Sequence, residues 1–269
     1  MGAHFTRAVS LHLQGQNFAR VPESREAKIQ AIDLRLDSRA VLAPLGRYGQ
    51  ILDYMREAEA LANELGDRRR LGLVLADLGA RLRNVGDHAH ALEASRRAFD
   101  IATELGDTDL QIEAKYRTAQ VYFAQGNLEQ AASLFLETMK ALADTNVASR
   151  TALPRFFVAW PQAWLGLAFS QLGRFTEALS HAEAALRMAE RTGRPHTVIE
   201  SRGPLGGVRL EQGDLQAALH VLEPGLALLR ARGSATPTYC RAWAMRTHCR
   251  VPGSRHRCRA HRPPAASRP

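Results

Sequence analysis

Residues 66–127 read GDRRRLGLVLADLGARLRNVGDHAHALEASRRAFDIATELGDTDLQIEAKYRTAQVYFAQGN. Glycine followed by Asp or Asn recurs there every twenty residues, at Gly66-Asp67, Gly86-Asp87, Gly106-Asp107 and Gly126-Asn127. Glycine ends helices because it adopts the left-handed conformation without a steric penalty from Cβ. Asp or Asn then accepts a hydrogen bond from the free N–H groups that open the next helix. The stretch therefore predicts successive helices joined by tight turns.

The same interval returns further along the chain, at Gly173-Arg174, Gly193-Arg194, Gly213-Asp214 and Gly233-Ser234. Between the turns, apolar residues recur at spacings of three and four, as on one face of a helix. Two successive helices make a 40-residue unit, and such a period predicts an all-α solenoid of antiparallel helix pairs. The interval from Gly126 to Gly173 is 47 residues instead. We assign the extra residues to an enlarged loop near 144–155, which lacks helical periodicity.

The helical array should occupy residues 23–233, with about ten or eleven helices if residues 8–22 contribute one. Residues 1–22 contain part of a helix, which we interpret as the end of a truncated repeat. Residues 234–269 contain eight Arg and no Asp, Glu or Lys. Such a composition cannot bury a core, so we predict a disordered basic tail. An out-of-frame reading of the gene would explain this composition.

The formal net charge of +9 lies in the tail and not in the array. Eight of the 36 Lys and Arg lie in the tail, so residues 1–233 carry 28 basic and 27 acidic side chains. The array thus lacks the basic surface of a nucleic-acid or membrane-surface protein. All the cysteines are also in the tail, and the sequence has neither a signal peptide nor a membrane-spanning apolar run. We expect a cytoplasmic protein without a nucleic-acid or membrane partner, and the dominance of Arg over Lys indicates GC-rich, bacterial codons.

Small residues occupy fixed places in the repeating unit. The first helix of each unit carries Leu78-Gly79, Thr118-Ala119, Leu165-Gly166 or Leu205-Gly206, and the second carries Ala91, Ala131, Ala178 or Ala218. Small side chains at these places let paired helices approach closely. The pattern resembles the tetratricopeptide repeat (TPR), whose usual period is about 34 residues. The resemblance implies a right-handed superhelical solenoid whose first-type helices line a concave groove.

Four runs resemble one particular array: residues 42–46, 56–62, 65–72 and 85–92. It is the C-terminal region of bacterial proteins that join a class III adenylate or guanylate cyclase to an AAA-type ATPase. In that family the catalytic domains precede the array, and this sequence lacks their G-x-x-x-x-G-K-[ST] phosphate-binding motif. The resemblance implies a non-catalytic protein–protein interaction scaffold, the regulatory array of such a signalling protein. Two alternatives stay open: a ligand-sensing module that controls an attached cyclase or ATPase, and a non-functional gene fragment.

Partner contacts are expected in the concave groove, where the resemblance places a protein or peptide segment. Phe156, Phe157, Trp160 and Trp164 cluster after the enlarged loop, on a first-type helix. Tryptophan is favoured at binding hot spots, although packing in the core between repeats is the plainer interpretation of this cluster. The residues predicted to line the groove are Arg83, Asn84, Arg117, Gln120, Trp160 and Trp164.

No catalytic site, cofactor or metal is predicted. The tail carries Cys240, His248, Cys249, Cys258 and His261, but the close cysteine pairs of a zinc site are missing. His181 is isolated on its helix and is expected on a solvated surface. The run Asp67-Arg68-Arg69-Arg70 could be a phosphate-binding patch, but the solvated first turn of a helix behind an Asp cap is the preferred interpretation.

Three prolines, Pro161, Pro204 and Pro224, fall inside predicted helices. Proline removes a backbone donor and clashes with the preceding turn. Pro161 can lie in a first turn, where proline is tolerated. Pro204 is followed by Gly206-Gly207, so its helix is expected to be the least regular of the array.

Overall fold

The computed structural model describes residues 24–42, 47–144 and 159–231. These residues form ten α-helices and contain no strand, which confirms the predicted all-α class. In chain order the helices are α1 (Arg25–Leu42), α2 (Tyr48–Leu65), α3 (Arg68–Val85), α4 (His88–Glu104), α5 (Thr108–Ala124), α6 (Leu128–Asp144), α7 (Ala159–Gln171), α8 (Phe175–Arg191), α9 (Pro195–Glu211) and α10 (Leu215–Ala231). Odd-numbered helices are the first-type helices of the repeat, and even-numbered helices are the second-type helices.

Some predictions concern residues outside these described ranges. They are the partial helix in residues 1–22, the enlarged loop beyond Asp144, the aromatic pair Phe156 and Phe157, and the basic tail with its cysteines and histidines.

Glycine ends the helices at the predicted turns, and aspartate caps the following helix at four of these turns, whereas Arg174 and Arg194 provide no side-chain cap. The seven turn glycines from Gly66 to Gly213 all have positive φ, between 62° and 90°. An Oδ1 atom of Asp67 accepts a hydrogen bond from the N–H of Arg70 at 3.0 Å. The same bond caps the helices that follow Asp87, Asp107 and Asp214. Each such cap stabilises its helix by about 1 kcal/mol, so these turns both end one helix and start the next.

Small residues lie where the two helices of a pair touch. Gly79 of α3 packs so closely on α4 that a Cβ there would be 2.5 Å from Ser95 Oγ and 3.1 Å from the carbonyl oxygen of Ala91. A Cβ on Gly166 of α7 would be 3.0 Å from the carbonyl oxygen of Ala178 in α8. The close approach predicted from the Leu-Gly pairs is therefore confirmed.

The stack of helices curves toward its first-type helices. Consecutive helices pack against one another, and first-type helices also contact the next first-type helix, as α3 does with α5 and α7 with α9. Among the described residues, no two second-type helices have a contact of comparable extent. A stack with closer spacing on one side bends toward that side, which creates the concave binding surface of a solenoid. The free faces of α3, α5 and α7 therefore line the concave inner face of the array.

Two large clusters of buried apolar residues run through the array. The first extends from Ile32 in α1 to Val121 in α5, and the second from Ile112 in α5 to Val208 in α9. Full burial of an aliphatic side chain contributes about 1.5–3 kcal/mol. Because α5 supplies residues to both clusters, it joins the two halves of the array.

The helices accommodate their prolines. Pro161 lies in the first turn of α7, as predicted. The helix α9 runs without interruption through Pro204. Pro204, Leu205 and Gly206 are all buried, and tertiary packing contributes more to helix stability than local propensity does.

None of the described helices has the length and apolar character that a membrane crossing requires.

Candidate functional site

The candidate site lies on the inner face, where charged side chains from successive first-type helices meet. Arg39 of α1, Asp77 and Arg81 of α3, and Glu113 and Arg117 of α5 form this group, which we call the arginine cluster. It draws on three repeats, so the folded stack is needed to assemble it.

Asp77 is the centre of the arginine cluster. Its side chain is 1% exposed, and its Oδ1 atom lies 3.0 Å from Nη1 of Arg39 and 3.5 Å from Nη2 of Arg81. Burial alone would raise the pKa of Asp77, but the positive charges of Arg39, Arg81 and Arg117 together outweigh it and lower the pKa to about 2. The carboxylate is therefore charged at neutral pH and fixes the guanidinium groups around it.

Arg117 extends the cluster along α5. Its Nη2 donates a hydrogen bond to Glu113 at 3.1 Å, and its Nη1 donates one to Gln120 at 3.4 Å. The Gln120 amide in turn donates to the hydroxyl of Tyr116 at 2.9 Å. Burial raises the pKa of the Tyr116 hydroxyl above its usual range, so the hydroxyl remains protonated. Gln120 is itself buried and therefore holds Arg117 in place from below the surface.

The arginine cluster has an excess of positive charge and spare hydrogen-bonding capacity. Its three guanidinium groups face two carboxylates, so the charges sum to +1. Nε of Arg81, Nε of Arg117 and Oδ2 of Asp77 are buried without a hydrogen-bond partner among the described residues. Buried polar atoms in native proteins nearly always have a partner. A water molecule or a polar ligand group would satisfy these atoms.

Trp164 joins the inner face to the core between repeats. Its ring meets Phe123 of α5 edge-on, with 5.2 Å between ring centroids, and stacks on Phe135 of α6 at 6.3 Å. The guanidinium group of Arg83 in α3 lies over the same ring, 5.4 Å from its centroid. Trp160 is also half-buried against this core. Both tryptophans therefore pack between repeats, and Trp164 additionally meets a charged side chain from α3.

Among the predicted groove residues, the structure brings two pairs into contact. Arg83 meets Trp164, and Arg117 meets Gln120. Asn84 is exposed at the end of α3. Contact of any of these residues with a partner remains a prediction.

Sequence reasoning missed Arg39, Asp77 and Arg81. A signal for Asp77 was present, because Asp77, Arg117 and Trp164 are 40 and 47 residues apart and so occupy the same place in successive repeats. Arg81 follows Asp77 by four residues, the spacing of an ion pair on a helix. No local pattern indicates Arg39, because its contact with Asp77 joins different repeats.

The basic run Arg68–Arg70 is not a free anion site. Its arginines are engaged with acids from their own turn and from neighbouring elements: Arg68 pairs with Glu104, Arg69 with Asp107, and Arg70 with Asp33 and Asp67. The interpretation as a first turn behind the Asp67 cap is confirmed, and the run also ties adjacent repeats together.

The solvated position predicted for His181 is wrong. Its ring is half-buried and lies 5.4 Å from the ring of Phe169 in α7. This burial lowers the pKa of His181. Periodicity within one helix could not show that α7 covers this part of α8.

An open depression of about 470 Å³ lies at the turn between α5 and α6, lined by residues 126–130 and Leu172. Neither Trp160 nor Trp164 lines it. In the part of the chain that the structure describes, no three His, Cys, Asp or Glu residues are grouped as ligands for a metal ion.

Comparison with known proteins places this architecture in a family. The family model for the "MalT-like TPR region" matches residues 39–262. The chain belongs to this family. A search of curated protein sequences found no significant match.

The TPR array also shares its fold with solved structures of low sequence identity. PlcR of Bacillus thuringiensis, in complex with the peptide PapR7 and DNA, has a TM-score of 0.63 and 13% identity, covering 84% of this chain and 76% of PlcR. NprR, in complex with its cognate peptide NprX, has a TM-score of 0.60 and 13% identity, covering 86% of this chain and 69% of NprR. A Signal Transduction ATPase with Numerous Domains from Pyrococcus horikoshii, which has a TPR sensor, has a TM-score of 0.55 and 14% identity, covering 80% of this chain and 30% of that protein. Together with the family match, these likenesses confirm the TPR solenoid.

Proposed function

We propose that this TPR array is a non-catalytic interaction module that holds a peptide segment of a partner protein along its inner face. The observation that carries the proposal is the arginine cluster, whose buried polar atoms lack partners among the described residues. Trp164 and Arg83 lie on the same inner face, and both residue types are enriched at binding hot spots. The peptide complexes of PlcR and NprR support a peptide as the class of partner.

A selection from a random peptide library tests this proposal. Peptides of about ten residues are long enough to cross three helices spaced about 10 Å apart. The library is selected on the immobilised full chain, and recovered peptides are synthesised and bound in solution. Hydrogen exchange should then slow in α3, α5 and α7 and stay unchanged in α2, α4 and α6. Protection confined to second-type helices, or recovery no greater than from a support without protein, would contradict the proposal.

The finer part of the proposal is that the array regulates a larger signalling protein that contains a cyclase or an ATPase. Its support is the resemblance of residues 65–72 and 85–92 to cyclase–ATPase arrays. The signalling ATPase with a TPR sensor has a compatible fold. We expect the DNA adjoining the gene to encode a cyclase domain or a P-loop ATPase. Adjoining DNA that encodes neither would contradict this finer part and would leave peptide binding untouched.

A further inference from the structure

The exposure of its side chains shows from which side a ligand can reach the arginine cluster. Arg81 and Arg117 are mostly buried, with side chains 15% and 12% exposed, whereas the side chain of Arg39 is 42% exposed. The cluster is therefore closed by the protein on one side and reaches solvent through Arg39. A ligand group can approach from that side.

The donors of the cluster are only partly used. Arg81 contacts Asp77, and Arg117 contacts Glu113 and Gln120. These contacts leave most guanidinium N–H groups without a partner among the described residues. Guanidinium groups have no acceptor, and the cluster carries a net positive charge. Among the described residues, the unused donors of the cluster outnumber its one buried unused acceptor, Asp77 Oδ2, so an acceptor with negative charge fits best.

We propose that the arginine cluster binds the side-chain carboxylate of an acidic residue, so that the array selects peptide segments rich in Asp or Glu. This inference rests on the proposed function, because it assumes that the inner face holds a peptide. Guanidinium and carboxylate groups form the strong, charge-assisted class of hydrogen bond. Asp77 is a positioning residue in this arrangement, since it holds Arg39 and Arg81 where an incoming carboxylate meets them.

The composition of selected peptides tests the proposal. The library is displayed with each peptide fused through its C-terminus, so that only side chains can supply a carboxylate. Asp and Glu should be enriched severalfold in the recovered pool relative to the starting library. In the double variant Arg81→Gln/Arg117→Gln the enrichment should disappear. The best acidic peptide should lose about tenfold in affinity, the equivalent of one lost charge-assisted contact.

Arg97→Gln is the matched control. Arg97 lies on the second-type helix α4 and pairs with Glu59, away from the inner face. Its loss removes one positive charge, where the double variant removes two, and should leave both the enrichment and the affinity unchanged. Circular dichroism shows whether each variant is folded. If the double variant unfolds, Arg39→Gln replaces it, because that half-exposed side chain can be removed with less disturbance, and it should weaken the acidic peptide in the same direction.

The outcomes separate this proposal from the proposed function. Peptides that bind the inner face without enrichment of acidic residues would overturn the acidic subsite and leave peptide binding standing. Failure to recover any peptide, from this library or from one with free C-termini, would overturn both. If acidic enrichment persists in the folded double variant, the Asp and Glu side chains of the peptides bind outside the arginine cluster, and the proposal is wrong. A second library with free C-termini completes the design: if it alone yields binders, the ligand is a terminal carboxylate, and the side-chain assignment is wrong.

Discussion

Asp77 is a buried charge held between arginines of two repeats, and its ionisation should contribute to folding. Its pKa is about 2 in the folded protein, against an ordinary value of 3.8. A lowered pKa favours folding above the ordinary value, and this contribution is lost as the pH falls through the folded value. We expect Asp77→Asn to destabilise the protein by about 2 kcal/mol at neutral pH and by clearly less near pH 3. Urea unfolding followed by circular dichroism at both pH values measures the difference.

Asp53→Asn provides the control for this measurement. Asp53 forms an exposed ion pair with Arg56 at 3.9 Å, and such pairs contribute about 0.5 kcal/mol. A cost at Asp77 that is the same at both pH values would show that the side chain matters through its shape and not through its charge.

Trp164 belongs to both the inner face and the core, and a stability measurement shows which role dominates. Its ring contacts Phe123 and Phe135, so Trp164→Ala should cost about 3 kcal/mol of unfolding free energy. Arg83→Ala removes the cation–π contact at this ring, and the loss of that contact should cost about 0.5–1 kcal/mol. Equal, small effects of both substitutions in urea unfolding would mean that the tryptophan is a surface residue.

At the scale of the helices, two glycines with different surroundings make opposite predictions. A Cβ at Gly79 would lie 2.5 Å from Ser95 Oγ, whereas a Cβ at Gly49 of α2 has no neighbour within 4 Å. Gly79→Ala should therefore destabilise by about 1–3 kcal/mol through overpacking. Gly49→Ala should be neutral or stabilise by up to about 1 kcal/mol through helix propensity. Thermal unfolding of both variants compares them, and a gain in stability at Gly79 would show that α3 and α4 can separate without cost.

The helices and turns could be predicted from the sequence because their signals are local. A glycine such as Gly66 and the Asp67 that follows it form a turn and a cap within a few residues. The continuity of α9 through Pro204 could not be predicted in this way, since the burial of that segment depends on neighbouring helices. The solvated position predicted for His181 was wrong for the same reason. Phe169, which packs against His181, belongs to the other helix of the pair.

At the scale of the whole molecule, the repeat period predicted the solenoid but only some of the residues on its inner face. Register correctly selected Arg117 and Trp164 as positions on first-type helices. The ion pair between Arg39 and Asp77 depends on how much successive repeats rotate and shift, which the period does not specify. The charge of the inner face, and with it the chemistry of a partner, therefore emerged only from the packed array.

In a solenoid each repeat contacts only the adjacent repeats, so a destabilising substitution should affect only the helices near it. Leu205 lies in α9 and is 5% exposed, and Leu205→Ala should cost about 2–5 kcal/mol locally. Hydrogen exchange should accelerate in α7 to α10 and remain unchanged in α1 to α4, because regions of a protein can open separately.

Leu110→Ala in α5 is the matched substitution, at a residue 2% exposed that belongs to the first core cluster. Since α5 joins both clusters, Leu110→Ala should accelerate exchange on both sides of it. The contrary result is that Leu205→Ala accelerates exchange uniformly from α1 to α10. The array would then unfold as a single cooperative unit, and α5 would not connect two separately opening halves.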